Sequence, residues 1–447
     1  MISRILIANR GEIALRIIRA AKELGLETVQ VFSKADKDSL AVRMADRAVC
    51  IGPPPAAESY LFYQNIISAA LAAKADAIHP GYGFLAENPH FADACRAMKI
   101  IFIGPKSNVI RRMGDKAKAK ELMRESGVPV VPGSDGIVDS LDKAYETVEQ
   151  TGFPIIIKAS AGGGGKGMRI VKEKKELERA FNYASTEAQQ AFGDSRVYIE
   201  KYIGNPKHIE VQILGDRHGN VVHLFERDCS IQRRHQKLLE EAPSPSIDKD
   251  TRKRLGEIAV TAAKFVDYDS AGTIEFLFDT ETREFYFMEM NTRIQVEHPV
   301  SEQITGIDLI KSQIRIANGD KLGFKQKHIE RNGHSIECRI NAEDPARDFA
   351  PTPGKITHLI LPGGPGIRVD SGVFHGYSIP PFYDSLVAKL ITWGTDRREA
   401  VERMKRALDE FQIEGIKTTI PFHKEVMKNR EFLSGQYTTD FVNKYMS

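Results

Sequence analysis

Short apolar segments alternate with amphipathic helical segments over the first hundred residues of this 447-residue chain. Strands that are separated by helices indicate βαβ units, which pair their strands into a parallel sheet covered by helices. We predict the strands at residues 5–8, 28–32, 48–51, 77–79 and 100–103. Such doubly wound sheets bind ligands at the carboxyl ends of their strands. The loops 8–11 and 79–83 follow two of these strands, so we expect them to face a ligand.

The remainder of the chain has a different pattern. A lysine-rich segment at 115–126 is predicted to form a helix, and Gly127 with the two prolines after it indicates a hinge. Short strands and helices then surround a run of glycines, and beyond residue 208 strands dominate, one of them predicted at 221–226. We therefore predict a multidomain α/β and α+β protein with a small mobile lid. Its four parts are an N-terminal α/β domain at 1–114, a helical linker at 115–130, the lid at 131–203 and a C-terminal domain at 204–447.

The composition argues against several classes of protein. Lys and Arg number 63 against 60 Asp and Glu, and a net charge of only +3 argues against a nucleic-acid binder or a polybasic membrane anchor. No apolar run is long enough to span a bilayer, and no leader sequence follows Met1. The four cysteines lack the spacing of a zinc site or a disulfide framework. We expect a soluble cytoplasmic enzyme that binds neither nucleic acid nor membrane.

A run of glycines is the strongest local motif, and it consists of Gly162, Gly163, Gly164, Gly165, Lys166 and Gly167. A predicted strand follows it where a Rossmann loop needs a helix, and a Walker A loop needs Ser or Thr after its lysine. A protein kinase has its lysine after such a loop, whereas Lys158 precedes this one. A flexible turn is the alternative. We favour a phosphate lid, because the backbone N–H groups of a glycine hairpin can close over a triphosphate while Lys158 pairs with its charge.

Two predicted neighbouring strands carry acidic side chains. Glu275 lies opposite its apolar neighbours, and Glu289 with Asn291 lies on the following strand. Carboxylate and amide oxygens are ligands that Mg²⁺ prefers, particularly where it also binds phosphates. A solvated strand face with cross-strand ion pairs is the alternative. If the alternation continues, one face carries Glu289, Asn291, Arg293, Gln295 and Glu297.

The charged segment 226–237 has two interpretations. It is a surface turn or a nucleic-acid patch built on Arg233 and Arg234, or it belongs to an enzyme in which His235 and Lys237 bind a small anion. No aromatic residues interleave for base stacking, and two acids follow at once. From these residues alone, both interpretations stay open.

Together these motifs resemble one family. A lysine before a glycine-rich hairpin, with paired acids on later strands, is similar to the ATP-grasp superfamily, and the stretches 79–85, 226–237 and 289–299 resemble biotin carboxylases. The resemblance runs from residue 5 to beyond Lys389. It implies an ATP-grasp fold and a C–N-bond-forming ligase, which uses ATP and Mg²⁺ (or Mn²⁺) to carboxylate biotin with bicarbonate through carboxyphosphate. Biotin would be a substrate that is not covalently attached to this chain.

The resemblance also implies roles for individual residues. The ATP phosphates would be contacted by Lys116, Lys158 and the glycine run. The adenine pocket would be formed by Met168, Glu200, Lys201, Ile203 and Leu277, with His208, Gln232 and His235 nearby. The metal ligands would be Glu275, Glu289 and Asn291. The bicarbonate site would consist of Lys237, Arg293, Gln295, the Val296 backbone and the general base Glu297. The biotin ureido oxygen and the biotin ring would be contacted by Arg339 and Tyr82.

The same resemblance implies partners. The tetrapeptide 97–100 resembles a biotin attachment site, but it joins a predicted helix to a predicted strand, so we expect biotin to arrive on a biotin carboxyl carrier protein. The resemblance uses almost all 447 residues, which predicts a separate subunit that works with carboxyltransferase subunits, and the resemblance itself implies a homodimer. The expected parent is acetyl-CoA carboxylase of fatty acid synthesis. The alternatives are another acyl-CoA or pyruvate carboxylase, or an ATP-grasp ligase that joins a carboxylate to an amine.

Overall fold

The computed structural model describes residues 1–159 and 168–446. Its N-terminal strands are β1 (Arg4–Ile7), β2 (Glu27–Ser33), β3 (Arg47–Gly52), β4 (Ala77–His79) and β5 (Ile101–Phe102). The accompanying helices are α1 (Gly11–Glu23), α2 (Leu40–Met44), α3 (Tyr63–Ala73), α4 (Pro89–Ala97) and α5 (Ser107–Gly114). The strands pair in parallel in the order β3-β2-β1-β4-β5, which confirms the predicted doubly wound sheet.

Both faces of this parallel sheet are buried. Ile5 and Ile7 of β1 point into a core shared with α1, whereas Leu6 points into a second core shared with α3 and α4. Burial on both faces explains why these strands read as nearly continuous apolar runs. Because β1 and β4 are neighbours, the loops after them leave the same edge, where the Asn9 amide donates hydrogen bonds to the carbonyls of Pro80 at 2.6 Å and Tyr82 at 2.7 Å.

A small α/β unit follows the helix α6 (Lys116–Glu125). Its elements are α7 (Leu141–Thr151), β6 (Ile155–Ala159), β7 (Met168–Val171), α8 (Leu177–Phe192) and β8 (Val197–Lys201). The three strands pair antiparallel in the order β7-β6-β8, and their apolar side chains form one core with α7 and α8. The strand β6 therefore carries Lys158 to the point where the chain approaches the glycine run, which itself lies outside the described residues.

The C-terminal half contains the largest sheet. Its longer strands are β9 (Lys207–Gly215), β10 (Val221–Arg233), β11 (Gln236–Ala242), β12 (Ala271–Phe278), β13 (Phe285–Asn291) and β14 (His334–Asn341). The strands after them are β15 (Glu343–Asp344), β16 (Ala350–Pro351), β17 (Gly354–Lys355), β18 (His358–Ile360), β19 (Ile367–Ser371), β20 (Ser378–Ile379), β21 (Leu386–Gly394) and β22 (Gln412–Glu414). Eight of these form an antiparallel sheet in the order β13-β12-β9-β10-β11-β14-β21-β19.

Helices cover this sheet. They are α9 (Lys249–Phe265), α10 (His298–Thr305), α11 (Leu309–Ala317), α12 (Arg397–Glu410), α13 (Ile420–Val426), α14 (Arg430–Ser434) and α15 (Phe441–Tyr445). The amphipathic helix α12 buries Val401, Met404 and Leu408 in a core that also contains Leu390 of β21. Among the helices in the described ranges, none combines the length and the apolar character that a bilayer crossing requires.

One predicted strand end is wrong, and the structure determines where the alternation after Glu289 stops. The strand predicted to stop at 226 continues as β10 to Arg233, because Glu226, Arg227 and Asp228 are buried and all have polar partners. The alternation that would put Glu297 on the strand face if it continued ends with β13 at Asn291, and a loop then leads into helix α10. The polar residues of 293–297 therefore come from a turn of the chain and not from one strand face.

Candidate active site

A cavity of about 1600 Å³ lies at the carboxyl edge of the parallel sheet. Its walls come from the loops after β1 and β4, from the small α/β unit and from the large antiparallel sheet. Most of the predicted site residues line it. These residues are Tyr82, Lys116, Lys158, Met168, His208, Gln232, His235, Lys237, Glu275, Leu277, Glu289, Asn291, Arg293, Gln295, Val296, Glu297 and Arg339.

Three residues predicted for the adenine pocket lie behind the cavity wall. The Glu200 carboxylate accepts a hydrogen bond from Lys158 Nζ at 2.5 Å and pairs with Lys120. Lys201 Nζ donates to the carbonyl oxygen of Phe153 at 2.8 Å, and Ile203 is buried. Burial and the nearby Lys116 lower the pKa of Lys158 to about 8. Glu200 therefore contacts Lys158, which lines the cavity, but does not line the cavity itself. The nucleotide-binding roles of all three residues stay predictions.

The two predicted metal-binding carboxylates face each other across neighbouring strands. Glu275 of β12 pairs in register with Glu289 of β13, just before a bulge between Glu275 and Phe276. The amide of Asn291 donates to Glu275 Oε1 at 2.8 Å, and Lys116 Nζ lies 3.8 Å from Glu289 Oε2. Burial and the charge of Glu275 raise the pKa of Glu289. Paired carboxylates and an amide oxygen fit a hard divalent cation, which would relieve their mutual repulsion.

Lys237 lies at the centre of an acidic cluster. Its Nζ donates hydrogen bonds to Glu210 at 2.5 Å, Glu275 at 3.0 Å and Glu297 at 2.7 Å. Burial disfavours the ammonium form, but these carboxylates outweigh it and raise the pKa of Lys237 well above its ordinary value. A cation held this firmly is suited to bind an anion at the cavity wall.

Glu297 is held by two cations. Its Oε1 accepts from Lys237, and its Oε2 accepts from Arg339 Nη2 at 2.9 Å. Burial alone would raise the pKa of Glu297, but Lys237, Arg339 and Arg227 hold it well below its usual range. The carboxylate is therefore ionised and available as a proton acceptor. Arg339 is fixed in turn by Glu240, whose Oε1 accepts from Arg339 Nε at 2.7 Å.

The segment before Glu297 brings two more polar side chains to the same place. The guanidinium of Arg293 donates to Glu87 at 2.8 Å and to Asn291 Oδ1 at 2.9 Å. The amide of Gln295 donates to Glu275 Oε1 at 2.6 Å. The predicted bicarbonate residues therefore lie beside the predicted metal ligands, which is the juxtaposition that an attack on a metal-bound phosphate requires.

Buried charged residues that the sequence analysis did not single out support this arrangement. Arg227 is fully buried and donates to Gln212 at 2.7 Å, to Ser301 at 3.0 Å and to Gln295 Oε1 at 2.7 Å. It also pairs with Glu210, whose other oxygen binds Lys237. Arg227 belongs to the charged segment 226–237, which the sequence analysis singled out. No local sequence pattern indicated which residues Arg227 would contact.

The tip of the hairpin between β10 and β11 carries the two arginines of the nucleic-acid alternative. Arg233 donates to the carbonyl oxygen of Asp348 at 2.9 Å, and Arg234 donates to the Asp348 carboxylate at 2.8 Å. Arg234 and His235 form the turn with φ angles of +49° and +65°. Gln232 and Lys237 are register partners below the tip and point to the cavity. The segment is therefore a hairpin end whose arginines hold Asp348.

Two carboxylates lie side by side in the centre of the sheet behind Arg339. Glu240 of β11 and Glu337 of β14 are register partners and are fully buried. Within the described part of the chain, neither oxygen of Glu337 has a hydrogen-bond partner. Burial raises the pKa of Glu337 well above its ordinary value, with the charge of Glu240 adding to the effect and Lys389 opposing it. The Glu337 carboxyl group therefore keeps its proton to a higher pH than an exposed glutamate does.

Glu337→Gln is expected to raise the melting temperature at pH 8 relative to the unchanged protein, and the difference should close towards pH 5. The unfolded chain releases the proton of Glu337 near a pKa of about 4.3, whereas the folded chain retains it to higher pH. Unfolding is therefore favoured as pH rises between these two values, and glutamine removes that loss. Thermal unfolding at several pH values measures the difference. A difference that does not vary with pH would contradict the raised pKa of Glu337.

Comparison with known families accounts for most of the chain. The family model "Biotin carboxylase, N-terminal domain" matches residues 1–110. The model "Carbamoyl-phosphate synthase L chain, ATP binding domain" matches residues 115–325, and "Biotin carboxylase C-terminal domain" matches residues 337–444. The three matches follow one another along the chain in the order that a single family requires.

Individual relatives are similar over almost their whole length. Biotin carboxylase 1 of Bacillus subtilis is 55% identical over 445 residues, covering 100% of this chain and 99% of the relative. A pyruvate carboxylase subunit of Methanothermobacter thermautotrophicus is 57% identical over 445 residues, covering 100% and 90%. The biotin carboxylase domain dimer of Hydrogenobacter thermophilus 2-oxoglutarate carboxylase, solved with MgADP, ADP and bicarbonate, is 52% identical with a TM-score of 0.91, covering 100% and 98%.

Proposed function

The chain belongs to the biotin carboxylase family, which makes it an ATP-grasp ligase, and from this premise we propose how its cavity carboxylates biotin. The observation that carries the proposal is the convergence of Lys237, Glu297 and Arg339 with the facing carboxylates Glu275 and Glu289 in one cavity. A general ATP-grasp ligase needs the facing carboxylates for its metal. It does not need an ionised glutamate held between a lysine and an arginine.

We propose that ATP binds with its phosphates between Lys116, Lys158 and the metal ligands. Glu275, Glu289 and Asn291 would hold Mg²⁺ or Mn²⁺, which neutralises phosphate charge when it is bound. The base would lie between Met168 and Leu277, with His208, Gln232 and His235 along the same wall. The segment 131–203 is proposed as the lid, and the phosphate contacts of 162–167 stay a prediction.

We propose that bicarbonate lies between Lys237, Arg293, Gln295 and the Val296 backbone. An anion at this position shares the charge of Lys237 and Arg339 and so raises the basicity of Glu297. Glu297 then takes the bicarbonate proton, and the freed oxygen attacks the γ-phosphorus of ATP. The bond from that phosphorus to the bridging oxygen breaks, ADP leaves, and carboxyphosphate forms.

The second step transfers the carboxyl group to biotin. Carboxyphosphate separates into CO₂ and phosphate, the phosphate takes the proton from N1 of biotin, and N1 attacks CO₂. Arg339 would stabilise the negative ureido oxygen, an interaction of the oxyanion type that contributes about 2.7–4 kcal/mol. Tyr82 would lie against the biotin ring at the far side of the same cavity.

We propose that the chain is a homodimeric subunit that works in the cytoplasm with a biotin carboxyl carrier protein and a carboxyltransferase. The dimer described for the Hydrogenobacter relative supports this oligomeric state. We propose acetyl-CoA carboxylase as the parent complex, as the family resemblance implies. Pyruvate carboxylase is the second candidate, because one relative of 57% identity is named as a subunit of that enzyme.

The activity is tested by transfer of radiolabelled bicarbonate to free biotin. With ATP and Mg²⁺ we expect acid-labile labelled carboxybiotin, formed in equal amount to the phosphate released. Chelation of the metal with EDTA should stop both products, and excess Mg²⁺ should restore them. ATP cleavage that proceeds equally well without biotin or bicarbonate, or that needs an amine acceptor, would identify a different ATP-grasp ligase.

The parent complex is tested by supplying acceptors. The chain is combined with its carrier protein and with the carboxyltransferase subunits encoded by the same organism, and acetyl-CoA, pyruvate and 2-oxoglutarate are offered in parallel. We expect label from bicarbonate in malonyl-CoA. Label in oxaloacetate instead would establish the second candidate, while leaving the carboxylation of biotin unaffected.

A further inference from the structure

A fully buried lysine lies directly behind the loop that carries Glu297. Lys389 is on β21, where it is the register partner of Arg339 on β14. Its Nζ donates a hydrogen bond to the carbonyl oxygen of Val296 at 2.9 Å and pairs with Glu12 Oε1 at 3.0 Å. The ammonium therefore joins the backbone next to the proposed base to an acid at the start of helix α1.

The two backbone carbonyls before Glu297 are both held by side chains. Lys389 holds the carbonyl of Val296, and His298 Nδ1 lies 2.8 Å from the carbonyl oxygen of Gln295. Burial lowers the pKa of His298 well below its usual value, so the ring is neutral and carries its proton on Nδ1. Because a peptide bond is planar, fixing the Val296 oxygen also fixes the plane that ends at the Cα atom of Glu297.

The acid on the other side of Lys389 reaches the opposite cavity wall. Glu12 Oε1, which pairs with Lys389, also accepts a hydrogen bond from the hydroxyl of Tyr82. Tyr82 lies in the loop after β4, on the wall where the biotin ring is proposed to bind. Polar contacts therefore run without a break from Tyr82 through Glu12 and Lys389 to Val296, which joins the wall proposed for biotin to the loop that carries Glu297.

We propose that Lys389 is a positioning residue for Glu297, and that Glu12 couples it to Tyr82, so that biotin at Tyr82 promotes the bicarbonate step. The proposal rests on the proposed function and deepens it. A buried ion pair by itself adds little stability, because well-packed apolar residues serve as well. Asp370 Oδ2 also lies 3.8 Å from Lys389 Nζ, but this carboxylate already pairs with Arg368 Nη2 at 2.7 Å. The remaining donor direction of Lys389 points to the Val296 carbonyl.

The test measures ATP cleavage at saturating ATP and bicarbonate, with and without free biotin. Lys389→Met should lower kcat about 100-fold, the loss typical of a reacting group displaced by about 1 Å, with the KM for ATP unchanged. We define the biotin ratio as the rate of ATP cleavage with biotin divided by the rate without it. Glu12→Gln should lower this biotin ratio. The double variant should be no slower than Lys389→Met alone, because both changes break one chain of contacts.

Lys207→Met is the matched control. Lys207 is equally buried and pairs with Asp228 at 3.0 Å, but it is absent from the cavity wall. The Lys207→Met variant should have a lower melting temperature and an unchanged kcat per folded molecule. The number of folded molecules is counted by ADP binding. If Lys389→Met does not fold, Tyr82→Phe removes only the hydroxyl that binds Glu12 and should also lower the biotin ratio.

The outcomes separate the two proposals. The positioning role is overturned if Lys389→Met behaves like Lys207→Met, if the effects of Glu12→Gln and Lys389→Met multiply, or if Tyr82→Phe keeps the full biotin ratio. If the unchanged protein itself shows no bicarbonate-dependent ATP cleavage, the proposed function fails and the positioning role falls with it. Normal cleavage in the unchanged protein with unaffected variants overturns the positioning role alone.

Discussion

Glu297→Gln is expected to abolish bicarbonate-dependent ATP cleavage while ATP binding stays intact. Glutamine keeps the volume of the side chain but cannot accept the bicarbonate proton, and a positioned base contributes about 10²–10⁴-fold to a rate. The Glu297 carboxylate accepts its hydrogen bonds from Lys237 and Arg339 and not from the proposed nucleotide contacts Lys116 and Lys158, so we expect ATP affinity to be unaffected. The measurements are kcat from phosphate release and the dissociation constant of ATP from calorimetry.

Glu302→Gln provides the matched control for this experiment. Glu302 lies on helix α10, which begins directly after Glu297, and it is buried against Arg16 at 2.9 Å and Arg368 at 2.7 Å. It does not line the cavity. Its replacement should lower the melting temperature and leave the kcat per folded molecule unchanged. A near-normal rate in Glu297→Gln would remove Glu297 as the base, whereas equal losses in both variants would indicate damage to the helix.

Local pattern was sufficient for some of the site. Alternation predicted that Glu275 and Glu289 lie on neighbouring strands, and the register places them opposite each other despite the turn of uncertain length between β12 and β13. Lys158 could be predicted to precede the glycine run because the apolar residues of β6 indicate a strand there. Both inferences concern residues whose neighbours are set by one hairpin, where a period of two determines the face.

Other parts of the site could not be derived from any period. Alternation would bring Glu297 to the site only if the strand continued that far, whereas Glu297 reaches the cavity because the chain turns after Asn291 and starts a helix. Arg227 and Lys389 are charged residues inside strands, which a hydrophobic pattern assigns to solvent. Each is buried only because a partner distant in sequence neutralises it, as Glu12 does for Lys389. Such partners follow from the order of strands in the sheet, and a single sequence does not contain that order.

Lys237→Ala is expected to have the second large effect, on both stability and the bicarbonate requirement. The change leaves Glu210, Glu275 and Glu297 without their shared cation, and breaking a buried ion pair by removing one partner costs about 3–5 kcal/mol. Bicarbonate would also meet three carboxylates that have lost this cation, with only Arg339 left beside Glu297 and Arg227 beside Glu210. The KM for bicarbonate should therefore rise steeply, and chemical denaturation should show the loss in the free energy of unfolding.

Arg397→Met distinguishes these two consequences. Arg397 binds the buried Glu241 at 2.7 Å and 3.0 Å on the far side of β11, and it is not part of the cavity wall. Its removal also takes the arginine partner from a buried carboxylate, which keeps only His334 and Tyr437 as partners, so it should destabilise the fold without changing the KM for bicarbonate. If Lys237→Ala destabilises the protein and leaves that KM unchanged, Lys237 is only a structural counter-ion. If the KM rises in Lys237→Ala alone, the same ammonium that offsets three carboxylates also binds the substrate anion, and its strong retention of charge is what makes both possible.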